Sequence, residues 1–344
     1  MVSDSSSAQK ADTESITPTP KNDISIEQLD NSSIDATSND IDDEHGLLND
    51  PWHGDFSPVK NFTGKLPRIV CWGDSLTSSF DRKTAYPDYL RQMSGCEVVN
   101  YGVENETTAM IAMREGGIPV YVKETVIPGN CDLIPVFLST DSEGSIFFLD
   151  FGEGGVNPCR IGGIDGTLSQ INGSYYFARQ KEGERRSFSS ETRFETFGMI
   201  DKRDGDVLIL FTGTNDMPDV ESVYEIIDIQ RRMLKEANCD RYIVIGLTYA
   251  SGIPEIDEVN EILANEYEDH FLDIRNYALN YGLEDAGITP TDKDKADLAK
   301  GELPSSLRRD YVHGNSTFYE LLAKQVYRRL QYLGYLPLDQ GDNL

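Results

Sequence analysis

Four short polar segments carry the residue types that acyl transfer needs. Gly73-Asp74-Ser75-Leu76 supplies a hydroxyl and Asn100-Tyr101-Gly102-Val103 a glycine amide; Gly213-Thr214-Asn215-Asp216 supplies a side-chain amide, and Asp310-Tyr311-Val312-His313 a carboxylate just ahead of an imidazole. Cleaving an ester through a covalent intermediate takes a nucleophile, a base for its proton, a group that orients the base, and donors for the oxyanion. Ser75 is the candidate nucleophile, His313 the base through Nε2, and Asp310 the partner that holds Nδ1–H and stabilises the imidazolium. Three donors are available for the developing charge: the Ser75 amide, the Gly102 amide, which no Cβ shields, and the Asn215 NH₂. This chemistry calls for no metal and no cofactor.

For these groups to meet, the chain must bring four distant segments to one edge. The run Arg68-Ile69-Val70-Cys71-Trp72 stops at the first segment, with a helix expected from Leu76; Val98-Val99-Asn100-Tyr101 stops at Gly102, and Val207-Leu208-Ile209-Leu210-Phe211 stops before Gly213. Val223, Ile226, Ile227 and Met233 fall at helical spacing within Val220–Glu236. Tyr242–Leu247 reads as a buried strand, Phe271–Ile274 as a fifth strand, and Phe318–Leu330 as a closing amphipathic helix. Continuous apolar strands alternating with helices predict a parallel sheet covered on both faces, an α/β fold of the flavodoxin-like three-layer α/β/α sandwich type. Ligands bind outside the carboxyl ends of such strands, and all four segments are expected there.

Each segment alone has a plainer reading: Asp74-Ser75 as a helix N-cap, Gly213–Asp216 as a turn, Asp310 with His313 as a loop pair. Asp74 and Asp216 are expected to serve nearby backbone amides, and Cys71, on an apolar strand, reads as a buried thiol. His45 and His53 fall in or beside a polar leader and His270 opens a strand, which leaves His313 as the base. Order and conjunction carry the assignment: four segments, each at a matching strand end.

These four blocks resemble those of the SGNH (GDSL-type) hydrolase family, with Ser75, Gly102, Asn215 and the Asp310–His313 pair at the matching positions. The resemblance implies a flavodoxin-like fold, ester hydrolysis through an acyl-serine intermediate, and an oxyanion hole from Ser75, Gly102 and Asn215. It covers roughly Leu66 to Gly116 and Asp204 to Leu333. A departure lies between the second and third blocks, where the family's path is short.

In that gap, runs such as Pro119–Val122, Ile146–Leu149 and Tyr175–Ala178 are separated by Gly, Asp, Asn and Ser, which predicts an inserted β-rich subdomain able to cover the site or bind substrate. Ahead of the core, Ser, Thr, Asp and Pro dominate and too little apolar area is present to offset ordering entropy. The expected organisation is therefore a disordered acidic tether over 1–60, the hydrolase core over 61–115 and 205–338, and the insert over 116–204.

A net charge of −28 sets a field that repels nucleic acid and anionic lipid and suits neutral or sugar-like substrates. No run reaches the length of a membrane span, and Met1-Val2-Ser3-Asp4 lacks the flank of a signal peptide. The leader composition nonetheless suggests an extracytoplasmic or surface-tethered protein. Five cysteines are too sparsely spaced for a zinc site, and Cys131 and Cys159 form the candidate bridge in an oxidising compartment. Three functions are compatible with these residues. The first is an esterase or deacetylase acting on a small acyl ester, O-acylated carbohydrate or cell-surface glycan; the second is a lipase or thioesterase for longer acyl chains. The third is a glycan-binding or adhesion protein on a catalytically silent core.

Overall fold

The computed structural model describes residues 56–78, 84–141 and 145–338. Five parallel strands form its central sheet: β1 (Ile69–Gly73), β2 (Val98–Gly102), β3 (Val207–Phe211), β4 (Tyr242–Ile245) and β5 (Phe271–Leu272). Their spatial order is β2-β1-β3-β4-β5, so the order reverses at β1 and a crevice opens beyond the ends of β1 and β3.

The strands are apolar throughout because both faces are covered. Successive residues of a strand point to opposite faces, and β1 divides accordingly. Ile69 and Cys71 join Ile209, Phe211, Ile243 and Ile245 under the helices Tyr86–Ser94, Ile274–Asn280 and Ser316–Tyr332. Val70 and Trp72 join Leu210 and Val244 under the helices Thr108–Glu115, Val223–Ala237 and Ile256–Tyr267. Fully burying a side chain of this size contributes roughly 1.5–3 kcal/mol, so each strand holds both layers in place. Helix ends follow local chemistry: Asn315 caps the closing helix by accepting the Phe318 amide, and Asn238 ends Val223–Ala237 in the left-handed region.

Between β2 and β3 the chain forms the expected antiparallel β-structure. One seven-stranded sheet runs, in spatial order, through Ile134–Pro135, Ser174–Arg179, Ile164–Ile171, Cys159–Ile161, Thr192–Glu195, Val120–Val122 and Leu138–Thr140. A two-stranded ribbon pairs Thr125–Ile127 with Arg186–Phe188. The insert is not a separate core: Val120, Phe148, Ile161 and Phe194 belong to the same buried cluster as Trp72 and Ile111. Ile146–Leu149, expected as a strand, is irregular at Ile146 and Phe147 and enters a turn at Phe148. Phe148 is buried, Leu149 takes φ +69°, and the Ile146 and Phe148 carbonyls face the Tyr175 hydroxyl at 3.0 and 2.9 Å rather than a neighbouring strand.

The expected tether falls outside the described residues as far as Asp55. Its last few residues do pack: the Phe56 ring meets Tyr332 edge-on at 6.1 Å, and the Val59 amide donates to the Tyr332 carbonyl at 2.7 Å. The expected Cys131–Cys159 bridge is not formed. Cys131 is exposed, while Cys159 is buried with its thiol 3.7 Å from the Gly166 carbonyl. Among the described residues, no helix is long and apolar enough to cross a membrane.

Candidate active site

β1 ends at Gly73, and the chain turns at once into the four-residue helix Ser75–Ser78. Asp74 organises this turn: its Oδ1 accepts the Leu76 amide at 2.9 Å, and its carbonyl accepts the Thr77 and Ser78 amides at 3.1 and 2.9 Å. That leaves the Ser75 amide unclaimed among the described residues, at the positive end of the turn. Far along the chain, Arg308 bridges back to Gly314 and the Arg309 amide donates to the His313 carbonyl at 2.9 Å, closing a tight loop in front of the last helix.

The two segments meet. His313 Nε2 lies 2.9 Å from Ser75 Oγ, across 238 positions of sequence. Nδ1 of the same ring lies 3.0 Å from both carboxylate oxygens of Asp310. Asp310 Oδ1 also accepts the Val312 and His313 amides at 2.9 and 2.7 Å, so the carboxylate shapes the loop as well as the ring. Burial, the largest single influence, pushes its carboxyl up, but the His313 and Val312 amides and the imidazole together outweigh that and hold the carboxyl at about 2. It is therefore ionised wherever the imidazole is able to act as a base. The arrangement has the geometry that would let a serine hydroxyl give its proton to Nε2 while Nδ1–H stays with the carboxylate. The other described histidine is structural: His270 Nδ1 sits 2.9 Å from the Tyr242 carbonyl and its ring stacks on Tyr242 at 4.2 Å. His45 and His53 lie outside the described residues.

Of the expected oxyanion donors, Asn215 stands just after β3, the strand that pairs with β1. One Nδ2 proton goes to the Glu106 carbonyl at 2.8 Å, which fixes the amide plane and leaves a second proton. Gly102 departs from expectation, because its amide donates to Asn100 Oδ1 at 2.8 Å. Asn100 is itself held by a 2.9 Å bond from Nδ2 to the Thr77 carbonyl. Glycine is needed here for packing: a Cβ would lie 2.7 Å from Ser78 Cα, against rigid backbone. Gly102→Ala should thus cost about 1–3 kcal/mol through overpacking, seen as a lower denaturation midpoint at unchanged m-value. A neutral substitution would show that the nucleophile turn yields easily.

Three residues supporting this rim escaped sequence reasoning. Arg114, fully buried, donates from Nε to Glu106 at 2.9 and 2.8 Å and from Nη1 to the Gly154 carbonyl, with its guanidinium 5.2 Å over the Trp72 ring. Glu106, whose carbonyl holds Asn215, is thereby tied to the insert. Asn100 is the third. An i, i+8 Glu–Arg spacing is no helix-face pair, so no local pattern marks the first two. Asp216 is a supporting residue, but for a distant segment and not only for its own turn: it accepts the Thr108 amide and hydroxyl at 2.9 Å each.

Asp74 is fully buried and its second oxygen has no hydrogen-bond partner among the described residues. Burial pushes its carboxyl up to about 7, against the bond from Leu76 and with help from the charges of Asp216 and Glu106. The folded state keeps this proton longer than the unfolded chain, whose value is near 3.9, so stability is complete below about pH 4 and declines as pH rises towards 7. Asp74→Asn should flatten that slope in unfolding free energies measured from pH 4 to 8. Asp310 acts lower and with opposite sign: its contribution is present above about pH 4 and lost as pH falls through about 2.

No family model matches the chain, and no curated protein matches it in sequence. Solved structures similar to it include a lipolytic protein of the G-D-S-L family from Desulfitobacterium hafniense, at 15% identity over 76% of this chain and 99% of that one, TM-score 0.40. A G-D-S-L family lipolytic protein from Veillonella parvula matches at 14% identity over 76% and 96%, TM-score 0.39. A catalytic mutant of an acetylxylan esterase from Geobacillus stearothermophilus matches at 14% identity over 80% and 99%, TM-score 0.38.

Proposed function

We propose that this chain is a serine ester hydrolase working through an acyl-serine intermediate on a flavodoxin-like core, and that it removes short acyl groups from O-acylated carbohydrate. The observation that supports this best is the continuous chain of contacts Ser75 Oγ to His313 Nε2 at 2.9 Å and His313 Nδ1 to Asp310 at 3.0 Å. Ser75 Oγ attacks the acyl carbon as its proton passes to Nε2. The tetrahedral oxyanion is met by the Ser75 amide and the Asn215 NH₂, with the Gly102 amide a donor only if Asn100 releases it. Collapse breaks the bond to the alcohol, which leaves with the proton from Nε2. Water then attacks the acyl-serine, gives a proton to Nε2 and releases the acid, and Ser75 takes its proton back.

The acidic surface and the polar leader support a neutral substrate and an extracytoplasmic or surface-tethered location. A series of 4-nitrophenyl esters from acetyl to octanoyl tests the acyl preference. The expected result is a kcat/KM highest at acetyl and falling with length. A steady climb to octanoyl would instead favour a lipase or thioesterase, since each methylene would then be gaining an apolar contact.

A further inference from the structure

We propose that the cavity between the end of β2 and the insert binds the alcohol half of the ester, and that this alcohol is a polyhydroxylated ring, a sugar. The proposal rests on the ester-hydrolase reading and adds where specificity resides. The cavity is about 270 Å³ and is lined by Ser78, Asn100, Glu104, Phe151, Glu153 and Gly154 among others. Ser78 ends the one-turn helix that begins with Ser75, and residues three apart on a helix face the same side at about 5–6 Å. The nucleophile turn is thus one wall of the cavity, and the insert is the opposite wall.

Its lining selects among alcohols. Glu104 comes from the core and Glu153 from the insert, and neither side-chain carboxylate has a hydrogen-bond or ion-pair partner among the described residues. Phe151 presents a ring that is 44% exposed. Sugar hydroxyls donate charge-assisted bonds to carboxylates while the C–H face of a pyranose lies on an aromatic ring. An alkyl chain would strip water from two carboxylates without replacing those bonds. An anionic alcohol would meet like charge from Glu104 and Glu153. A quaternary ammonium calls for a cage of several rings, and one ring is present here.

The insert wall is fixed before any ligand arrives. Arg114 holds the Gly154 carbonyl, the Val156 amide closes on the Glu153 carbonyl at 2.7 Å, and the Gly198 and Phe197 amides donate to the Gly155 and Val156 carbonyls at 2.9 and 3.1 Å. A preorganised wall spares the ordering cost of binding.

The test compares the full chain with Glu153→Gln, Glu104→Gln and the double variant on two esters, acetylated methyl xyloside and 4-nitrophenyl acetate. The expected result is a ratio of kcat/KM, sugar ester over nitrophenyl ester, that falls about tenfold in each single variant and further in the double. Because both side chains reach solvent, the fold should tolerate the change. A ratio that stays constant across the variants would overturn the sugar site while leaving the hydrolase reading intact. Failure of the wild type to cleave either ester would remove the hydrolase reading itself, and the sugar site with it.

Discussion

Ser75→Ala should lower kcat for 4-nitrophenyl acetate by about 10⁴-fold or more, with KM little changed and the circular dichroism spectrum intact. The hydroxyl is small and, among the described residues, its hydrogen bond is to His313 Nε2 at 2.9 Å, so its removal deletes the proposed attacking atom without opening the core. The Ser75 amide and Asn215 remain, which is why some rate above that of water should persist. Asp310→Asn tests the other end of the relay. An amide cannot stabilise the imidazolium, and its NH₂ opposes Nδ1–H, so a loss on the order of 10³–10⁴ is expected. Since Asp310 also accepts two loop amides, that variant should raise KM as well, and Ser75→Ala should not. Comparable activity in wild type and Ser75→Ala would mean that another residue attacks the ester.

The largest effect on stability should come from Arg114. Its side chain has no exposed surface, and Glu106 is 3% exposed, so Arg114→Met leaves a carboxylate buried without its partner. Breaking a buried pair from one side costs roughly 3–5 kcal/mol, whereas replacing both members by apolar residues of similar volume costs far less. Arg114→Met should therefore drop the urea midpoint sharply, and the double variant with Glu106→Met should recover much of that loss. Activity should recover less, because the double variant still lacks the bond from Arg114 to the Gly154 carbonyl. Equal destabilisation by the single and double variants would locate the effect in packing over Trp72 rather than in the unpaired charge.

The parallel core was legible because burial on two faces leaves no room for polar alternation, and Val207–Phe211 shows this most plainly: five residues, all buried, stopping at a glycine turn. Ser75 and Asn215 stand out in the sequence because each follows an apolar strand, and strand ends in such a sheet share one rim; Asp310 and His313 follow a short helical turn at Ser305–Leu307, so only their residue types and order marked them. What the sequence hid depends on contacts between distant segments. Ile146–Leu149 has the composition of a strand, but Tyr175, nearly thirty positions on, takes over two of its carbonyls and leaves a turn. Gly102 looked like an open donor because nothing local reveals that Asn100, pinned by Thr77, reaches its amide. Arg114 looks like the basic end of an exposed helix until Gly154 and Trp72 close over it. The same holds for Cys159, whose burial in the shared core separates it from exposed Cys131.

The central claim is that one hydroxyl attacks and one imidazole activates it. Brief reaction with a fluorophosphonate ester, followed by proteolysis and mass spectrometry, reads that out directly. A single stoichiometric adduct is expected on the peptide carrying Ser75, formed at least about a hundredfold more slowly in His313→Ala. An unmodified Ser75 alongside rapid labelling of a different residue, or labelling at full speed without the imidazole, would contradict it.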